Sequence, residues 1–115
     1  METTEALARM DALVSKGQIV DAIEQFFDDK AVTRDFDGST TRDKAEAVKK
    51  LSGFVGTIRK VNEITLHHSV ANGSVTMSEY TFDFDMADGN KVHWHEIIRR
   101  VWQQGKVVNE QYFKN

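Results

Sequence analysis

Residues 99–108 read RRVWQQGKVV, and this stretch has the pattern of a β-hairpin. Two runs that carry Val and Trp flank a Gln-Gln-Gly turn, and glycine readily takes the positive φ that a tight turn requires. Similar turn signals occur earlier, at Asn72-Gly73 and Asp88-Gly89. The turns separate runs rich in Val, Ile, Thr, Phe, Tyr and Trp, so the second half of the chain predicts a four-stranded antiparallel meander.

The length of the last turn decides which side chains share a face of this sheet. If Gln103 to Gly105 form a three-residue loop, the shared face holds Trp94, Glu96, Ile98, Arg100, Trp102, Val108, Glu110 and Tyr112. We expect this face to line a pocket. Two-residue loops at the other two turns add Ile64, Leu66, Val75, Met77 and Glu79 to it. The opposite face then holds His93, His95, Tyr80, Phe82 and Phe84. A two-residue turn at Gln104-Gly105 instead places His95, Ile97 and Arg99 beside Glu110 and Tyr112.

The first half of the chain has helical periodicity. Residues 4–16 and 18–27 each carry an apolar stripe, and residues 31–36 alternate weakly, which predicts two helices and a short strand. Thr40-x-x-Asp43 resembles a capping signal for a third helix. The core face of that helix is expected to hold Ala45, Val48, Leu51, Val55 and Ile58. The whole pattern predicts one α+β domain over residues 1–115, with three N-terminal helices packed on one face of a sheet.

The composition excludes several classes of protein. At 115 residues the chain is long enough for one domain with a core. Acidic and basic residues are mixed, with a net charge of −3, so we expect no nucleic-acid partner. The absence of cysteine excludes disulfides and thiolate metal sites. No run approaches the roughly 20 apolar residues that span a bilayer, and METTEALARM lacks a leader pattern, so we expect a soluble, cytoplasmic protein without a membrane partner.

His93 and His95 raise the question of a metal site, because residues two apart in a strand point to the same face. A cupin-like site would need a glutamate three or four residues after His95, and Arg99 and Arg100 stand there. A third ligand from another strand, His67 or Glu63, would require a favourable pairing of the strands. We therefore expect no metal, and read the histidines as hydrogen-bonded or solvent-facing.

Three short segments carry a resemblance to a known superfamily. They are Phe26 to Asp29 (FFDD), Arg34 to Gly38 (RDFDG) and the hairpin at residues 99–108. With the order of the elements, they resemble the nuclear transport factor 2-like superfamily, which includes the SnoaL-like polyketide cyclases and ketosteroid isomerase. The resemblance implies a cone-shaped domain, whose helices and curved four- to six-stranded, mainly antiparallel sheet enclose a pocket. It also implies a homodimer through the sheet, and apolar residues on both sheet faces agree with this.

The resemblance also assigns a candidate catalytic residue. With one residue inserted after Asp29, Asp35 matches the general base of ketosteroid isomerase, and an apolar pocket would raise the pKa of such a carboxylate. The isomerase also uses a tyrosine and a protonated aspartate as an oxyanion hole, and those places hold Met10 and approximately Ile98. Steroid-type isomerisation is therefore not expected. Alternatively, Asp35 simply caps or solvates its loop.

The remaining candidates surround the expected pocket. We predict that a small apolar or aromatic molecule is bound by Trp94, Glu96, Arg100, Trp102, Glu110 and Tyr112, without a cofactor. The alternative is structural, because buried charges need partners. In that case Arg100 and Glu110 form an ion pair across the last hairpin, Tyr112 is a core or rim residue, and both tryptophans pack.

Two functions stay open on the sequence. The chain is either a cofactor-independent isomerase, cyclase or hydratase-type enzyme with Asp35 as general base, or a non-catalytic ligand carrier or dimerising domain.

Overall fold

The computed structural model describes all 115 residues, in three helices and six strands. The helices are α1 (Thr3–Ser15), α2 (Ile19–Phe26) and α3 (Lys44–Val55). The strands are β1 (Phe27–Arg34), β2 (Thr40–Thr41), β3 (Ile58–Asn72), β4 (Val75–Met86), β5 (Lys91–Gln103) and β6 (Lys106–Lys114). None of the helices has the length and apolar character needed to cross a bilayer.

One mixed sheet runs through the molecule in the order β2-β1-β6-β5-β4-β3. Strands β3 to β6 form the predicted antiparallel meander, and β1 joins it parallel to β6. The sheet is open, and the core lies between its concave face and the three helices. The α+β class, the three N-terminal helices and the mainly antiparallel sheet are confirmed.

The third helix differs from its predicted form at both ends. Asp43 is its N-cap and accepts a 2.9 Å hydrogen bond from the backbone N–H of Glu46. The helix ends at Val55, and Ile58 begins β3 rather than closing the helical stripe. Ala45 is exposed, so its predicted core position is wrong. The side that faces the cavity described below holds Ala47, Leu51 and Phe54.

The hairpin between β4 and β5 reverses the predicted faces of β4. Met86 donates its backbone N–H to Asn90 over 2.8 Å, so Ala87, Asp88 and Gly89 form a three-residue loop, with Gly89 at φ +91°. A two-residue loop was expected, and one extra residue exchanges the two faces of a strand. The buried face of β4 therefore carries Thr76, Ser78, Tyr80, Phe82, Phe84 and Met86. The prediction that Val75, Met77 and Glu79 face the pocket is wrong, and so is the outward placement of Tyr80, Phe82 and Phe84.

The neighbouring strand β3 keeps its predicted orientation. Ile64 pairs with Phe82, and Leu66 pairs with Tyr80. Both are packed against the core, so their concave-face position is confirmed.

The last hairpin has a different turn from the one expected, yet it reaches the expected register. Gln103 pairs with Lys106, and Gln104 and Gly105 both have positive φ, so the turn has two residues. Val101 then pairs with Asn109 while Trp102 pairs with Val107, which leaves Val108 as the extra residue of a β-bulge. The bulge restores the pairing of Arg100 with Glu110 and of Ile98 with Tyr112. Only Val108 of the expected set is replaced, by the fully buried Val107.

Candidate functional site

A cavity of about 180 Å³ lies between the concave face of the sheet and the helices. Most of its wall is apolar, formed by α1, α2, α3 and the aromatic residues of β4 and β5. Six residues predicted to form the site line it: Asp35, Trp94, Glu96, Arg100, Glu110 and Tyr112. The structure thus brings together, in one space, side chains that are far apart in the sequence.

Trp102 is the predicted site residue that lies outside the cavity wall. Its indole N–H donates to the hydroxyl of Thr76 over 2.9 Å, and its ring meets Phe26 edge-on at 6.2 Å between centroids. This position closes the core between α2 and the sheet.

Asp35 lies in a tight turn that follows β1. Its backbone N–H donates to the carbonyl of Ser39 over 2.8 Å, and Gly38 takes a φ of +87° that favours glycine. One carboxylate oxygen accepts from the N–H of Phe36 at 2.8 Å, and the other lies 3.3 Å from the ammonium of Lys50 on α3. With its side chain 25% exposed, Asp35 borders both the cavity and solvent.

Glu96 is the buried carboxyl of the cavity wall that no protein group pairs with. The residue is 6% exposed and forms no hydrogen bond or ion pair with the rest of the chain. Burial, and then the negative charges of Asp35 and Glu110, raise its pKa to about 8, against a smaller opposing effect of Lys114. Glu96 is therefore largely protonated at neutral pH.

Arg100 is the centre of a buried polar network that ties α1 to the sheet. Its Nη1 donates to Asp11 and its Nε to Glu110, each over 2.9 Å, and all three side chains are at most 2% exposed. Burial alone would lower the pKa of Arg100, but the two carboxylates raise it above its ordinary value. The ion pair across the last hairpin is thus present, with a second carboxylate that the sequence did not suggest.

The two acids of this network are also bonded to hydroxyl groups. Asp11 accepts from Ser78 and from Tyr80, each over 2.7 Å. Glu110 accepts a very short hydrogen bond from Tyr112, whose pKa is raised by burial and by the charge of Glu110. Tyr112 is therefore a neutral hydrogen-bond donor that connects the cavity wall to Arg100.

Aromatic rings form the part of the wall next to Glu96 on β5. The Trp94 ring is stacked on Phe54 at 5.5 Å and meets Phe36 edge-on at 5.3 Å. The ammonium of Lys114 lies 4.8 Å from the centroid of the Phe36 ring, so one ring in this cluster already contacts a cation.

Several site residues were missed in the sequence. Asp11 is a charge on the apolar stripe of α1, four residues after Leu7 and three before Val14, and this position is the signal that reveals it. Lys50 and Phe54 carried no such signal, because their role depends on the end and rotation of α3.

The histidines of VHWHEII lie on the outer, convex face of the sheet. His95 bonds to Glu79 over 2.6 Å and His93 to Asp83 over 3.0 Å, and the two imidazoles thus have different carboxylate partners. No group of three or more His, Cys, Asp or Glu side chains is arranged to hold a metal ion. Their outward position agrees with the face expected from the sequence.

Known proteins resemble this chain in structure and not detectably in sequence. No protein-family model matches the sequence, and no curated protein matches it either. Among solved structures, a protein described as a SnoaL-like polyketide cyclase from Mesorhizobium loti superposes with a TM-score of 0.87 and 18% identity, covering 98% of this chain and 99% of its own. The chain has the SnoaL-like, nuclear transport factor 2-like fold.

Two further structures show how widely this nuclear transport factor 2-like fold is used. A Catenulispora acidiphila protein with a ketosteroid isomerase-like fold, in complex with trimethylamine, has a TM-score of 0.78 and 13% identity over 95% of this chain and 84% of its own. An epoxide hydrolase from M. tuberculosis has a TM-score of 0.79 and 18% identity over 100% of this chain and 86% of its own. At such identities the likeness establishes the fold, and function has to be argued from the site.

Proposed function

We propose that this protein binds a small, mainly apolar molecule in its concave cavity and catalyses a cofactor-independent proton transfer there, with Asp35 as the general base. The observation that carries the proposal is the position of two carboxyl groups of different character, Asp35 and Glu96, on one apolar cavity. Two acids held in different surroundings, one buried and unpaired and one bonded at the rim, are typical of acid–base sites. Isomerases, cyclases and hydratase-type enzymes all use such chemistry.

The cavity volume limits the ligand. An apolar cavity of about 150 Å³ accommodates a single benzene ring. At about 180 Å³, this one matches a molecule of about one ring and a small substituent. The trimethylamine complex of the Catenulispora protein supports a small ligand in this fold.

The polar residues would orient this molecule from one side. Glu96 offers a proton, and the Tyr112 hydroxyl, whose own proton is donated to Glu110, offers an acceptor. Trp94 supplies a flat apolar surface, and Arg100 holds Glu110 in place through a buried bond. Asp35, kept in one geometry by Phe36 and Lys50, faces the cavity from the end of β1.

The test is proton exchange at carbon. The protein is incubated in D2O with one-ring ketones and enones, and deuterium incorporation next to the carbonyl is followed by NMR. We expect a catalysed rate that falls about 100-fold or more in Asp35→Asn, and that stays unchanged in Asp37→Asn. Asp37 lies in the same turn, bonds to Ser39 and does not line the cavity.

A carrier without catalytic activity is the second candidate. It is favoured by the bond of Asp35 to Lys50, which gives the carboxylate a structural role. If the ligand binds with equal affinity to wild type and Asp35→Asn and no proton exchange occurs, the protein is a carrier and the enzymatic function is excluded.

We further propose a homodimer through the convex face of the sheet. This face exposes Val70, Met77 and Phe113 at 62%, 42% and 44%, around the histidines. Met77→Lys should then shift the molar mass measured by light scattering from dimer to monomer. A wild-type monomer at high concentration would contradict the proposal.

A cytoplasmic location also stays a prediction.

A further inference from the structure

The buried ionisable groups around the cavity do not balance in charge. Three acids, Asp11, Glu96 and Glu110, are at most 6% exposed, whereas Arg100 is the buried cation. Arg100 bonds to Asp11 and to Glu110, so both of its neighbours are satisfied and Glu96 is left over. Buried carboxyl groups are normally paired. The space that Glu96 faces can supply this missing partner.

The other charged groups near the cavity do not fill this role. Lys50 is 44% exposed and lies against Asp35 and Ser39. Lys114 is the neighbour of Glu96 across β5 and β6, but its exposed ammonium lies over the Phe36 ring and makes no ion pair with Glu96. Glu96 therefore faces the cavity without an ion pair to a cation of the protein.

A protonated Glu96 could instead donate a hydrogen bond to a neutral carbonyl ligand. The electrostatic surroundings favour the opposite charge, because Asp35 and Glu110 are the charges that act most strongly on Glu96. A negative field is relieved by a bound cation. The walls also suit a cation, since six aromatic residues line the cavity: Phe36, Phe54, Phe82, Phe84, Trp94 and Tyr112.

We propose that the cavity binds a small organic cation, an ammonium group of at most about one ring in size, with the Glu96 carboxylate as its counter-ion and the aromatic residues as its walls. This inference rests on the proposed ligand-binding function and names the charge of the ligand. Binding ionises Glu96, so a proton leaves the protein as the cation enters.

The experiment uses three probes of nearly equal shape and different charge: choline, 3,3-dimethylbutan-1-ol and 3,3-dimethylbutanoate. Isothermal titration calorimetry at pH 7 is expected to show choline binding at least about tenfold more tightly than the neutral alcohol, with the anion weakest. Glu96→Gln should remove this preference for the cation over the alcohol. Glu24→Gln, an exposed acid on α2, is the matched control.

Wild-type protein alone gives a second readout. The affinity for choline should rise with pH between about 6.5 and 8.5, because Glu96, with a pKa near 8, ionises in this range. None of the four histidines lines the cavity. At pH 7 the binding heat should also differ between buffers of high and low ionisation enthalpy, because a proton is released. Choline has no proton to lose from nitrogen, so the protein supplies it.

The outcomes separate the two proposals. Equal binding of choline and the alcohol, or a preference for choline that persists in Glu96→Gln, overturns the inference and leaves a neutral-ligand pocket intact. Failure of all three probes to bind overturns the inference, and the exchange assay with one-ring ketones and enones then tests the ligand-binding function separately. If choline binds tightly and the protein catalyses no proton exchange at carbon, the inference is supported and the protein is a carrier.

Discussion

Replacing Glu96 with glutamine tests the central electrostatic feature of the cavity through stability alone. The pKa of Glu96 rises from an ordinary value of 4.5 to about 8 on folding, so between these values the folded chain holds a proton that the unfolded chain has lost. The contribution of this carboxyl to stability is then complete below about pH 4.5 and is lost as the pH rises to about 8. At about 1.4 kcal/mol per pH unit, the loss is on the order of 5 kcal/mol.

Urea unfolding of wild type and Glu96→Gln between pH 4.5 and 8.5 measures this loss. Glutamine has no proton to release, so the variant should lack this part of the pH dependence, whatever constant offset the amide introduces. The wild-type midpoint should fall relative to the variant by at least about 1.5 M across the range. Glu24→Gln, which removes an exposed acid, should follow the wild-type curve. Parallel curves for wild type and Glu96→Gln would refute the burial argument.

Three further changes test the polar network and the last turn. Arg100→Met leaves Asp11 and Glu110 buried without their cation. It should lower the free energy of unfolding by about 3–5 kcal/mol in urea titrations, and a loss below about 1 kcal/mol would contradict the stabilising role of the network. Tyr80→Phe removes one donor to Asp11 and should cost about 1–2 kcal/mol, with an unchanged melting temperature as the opposing result. Gln104→Asn should raise the free energy of unfolding by about 0.5–1 kcal/mol, because Gln104 has a φ of +52° that asparagine tolerates better. A destabilised variant would show that residue 104 does not have a positive φ.

The sequence predicts the elements of this fold better than it predicts which way β4 faces. Turn signals such as Asp88-Gly89 locate a reversal of the chain, but they do not fix the number of loop residues. The loop has three residues and two were expected, and that single residue moved Phe82 and Phe84 to the wrong face. The sequence of β4 itself could have predicted its facing. Its aromatic residues alternate with Glu79, Asp83 and Asp85, and acids belong on the solvated face of a strand.

The sequence predicted those residues of the candidate site that lie on the last hairpin. Glu96, Arg100, Glu110 and Tyr112 were placed on one face by the pairing of two strands, which is a local property of the chain. Asp11 was not predicted as their partner, because its contact with Arg100 joins positions 89 residues apart and depends on how α1 packs on the sheet. Contacts of this kind follow from the tertiary fold and leave only an indirect trace, here a charge on an apolar stripe.

The bulge at Val108 links the register of the sheet to the chemistry of the cavity. Without it, the two-residue turn at Gln104 and Gly105 would pair Arg99 with Glu110. Arg100 would then be opposite Asn109 and would lose one of its two buried carboxylate partners. Glu96 would stay on the concave face, because β5 is also held by β4, where Glu96 pairs with the buried Tyr80. The bulge in β6 therefore adds Glu110 to this face, and Glu110 occupies the Nε of Arg100 and leaves Glu96 without a buried cation.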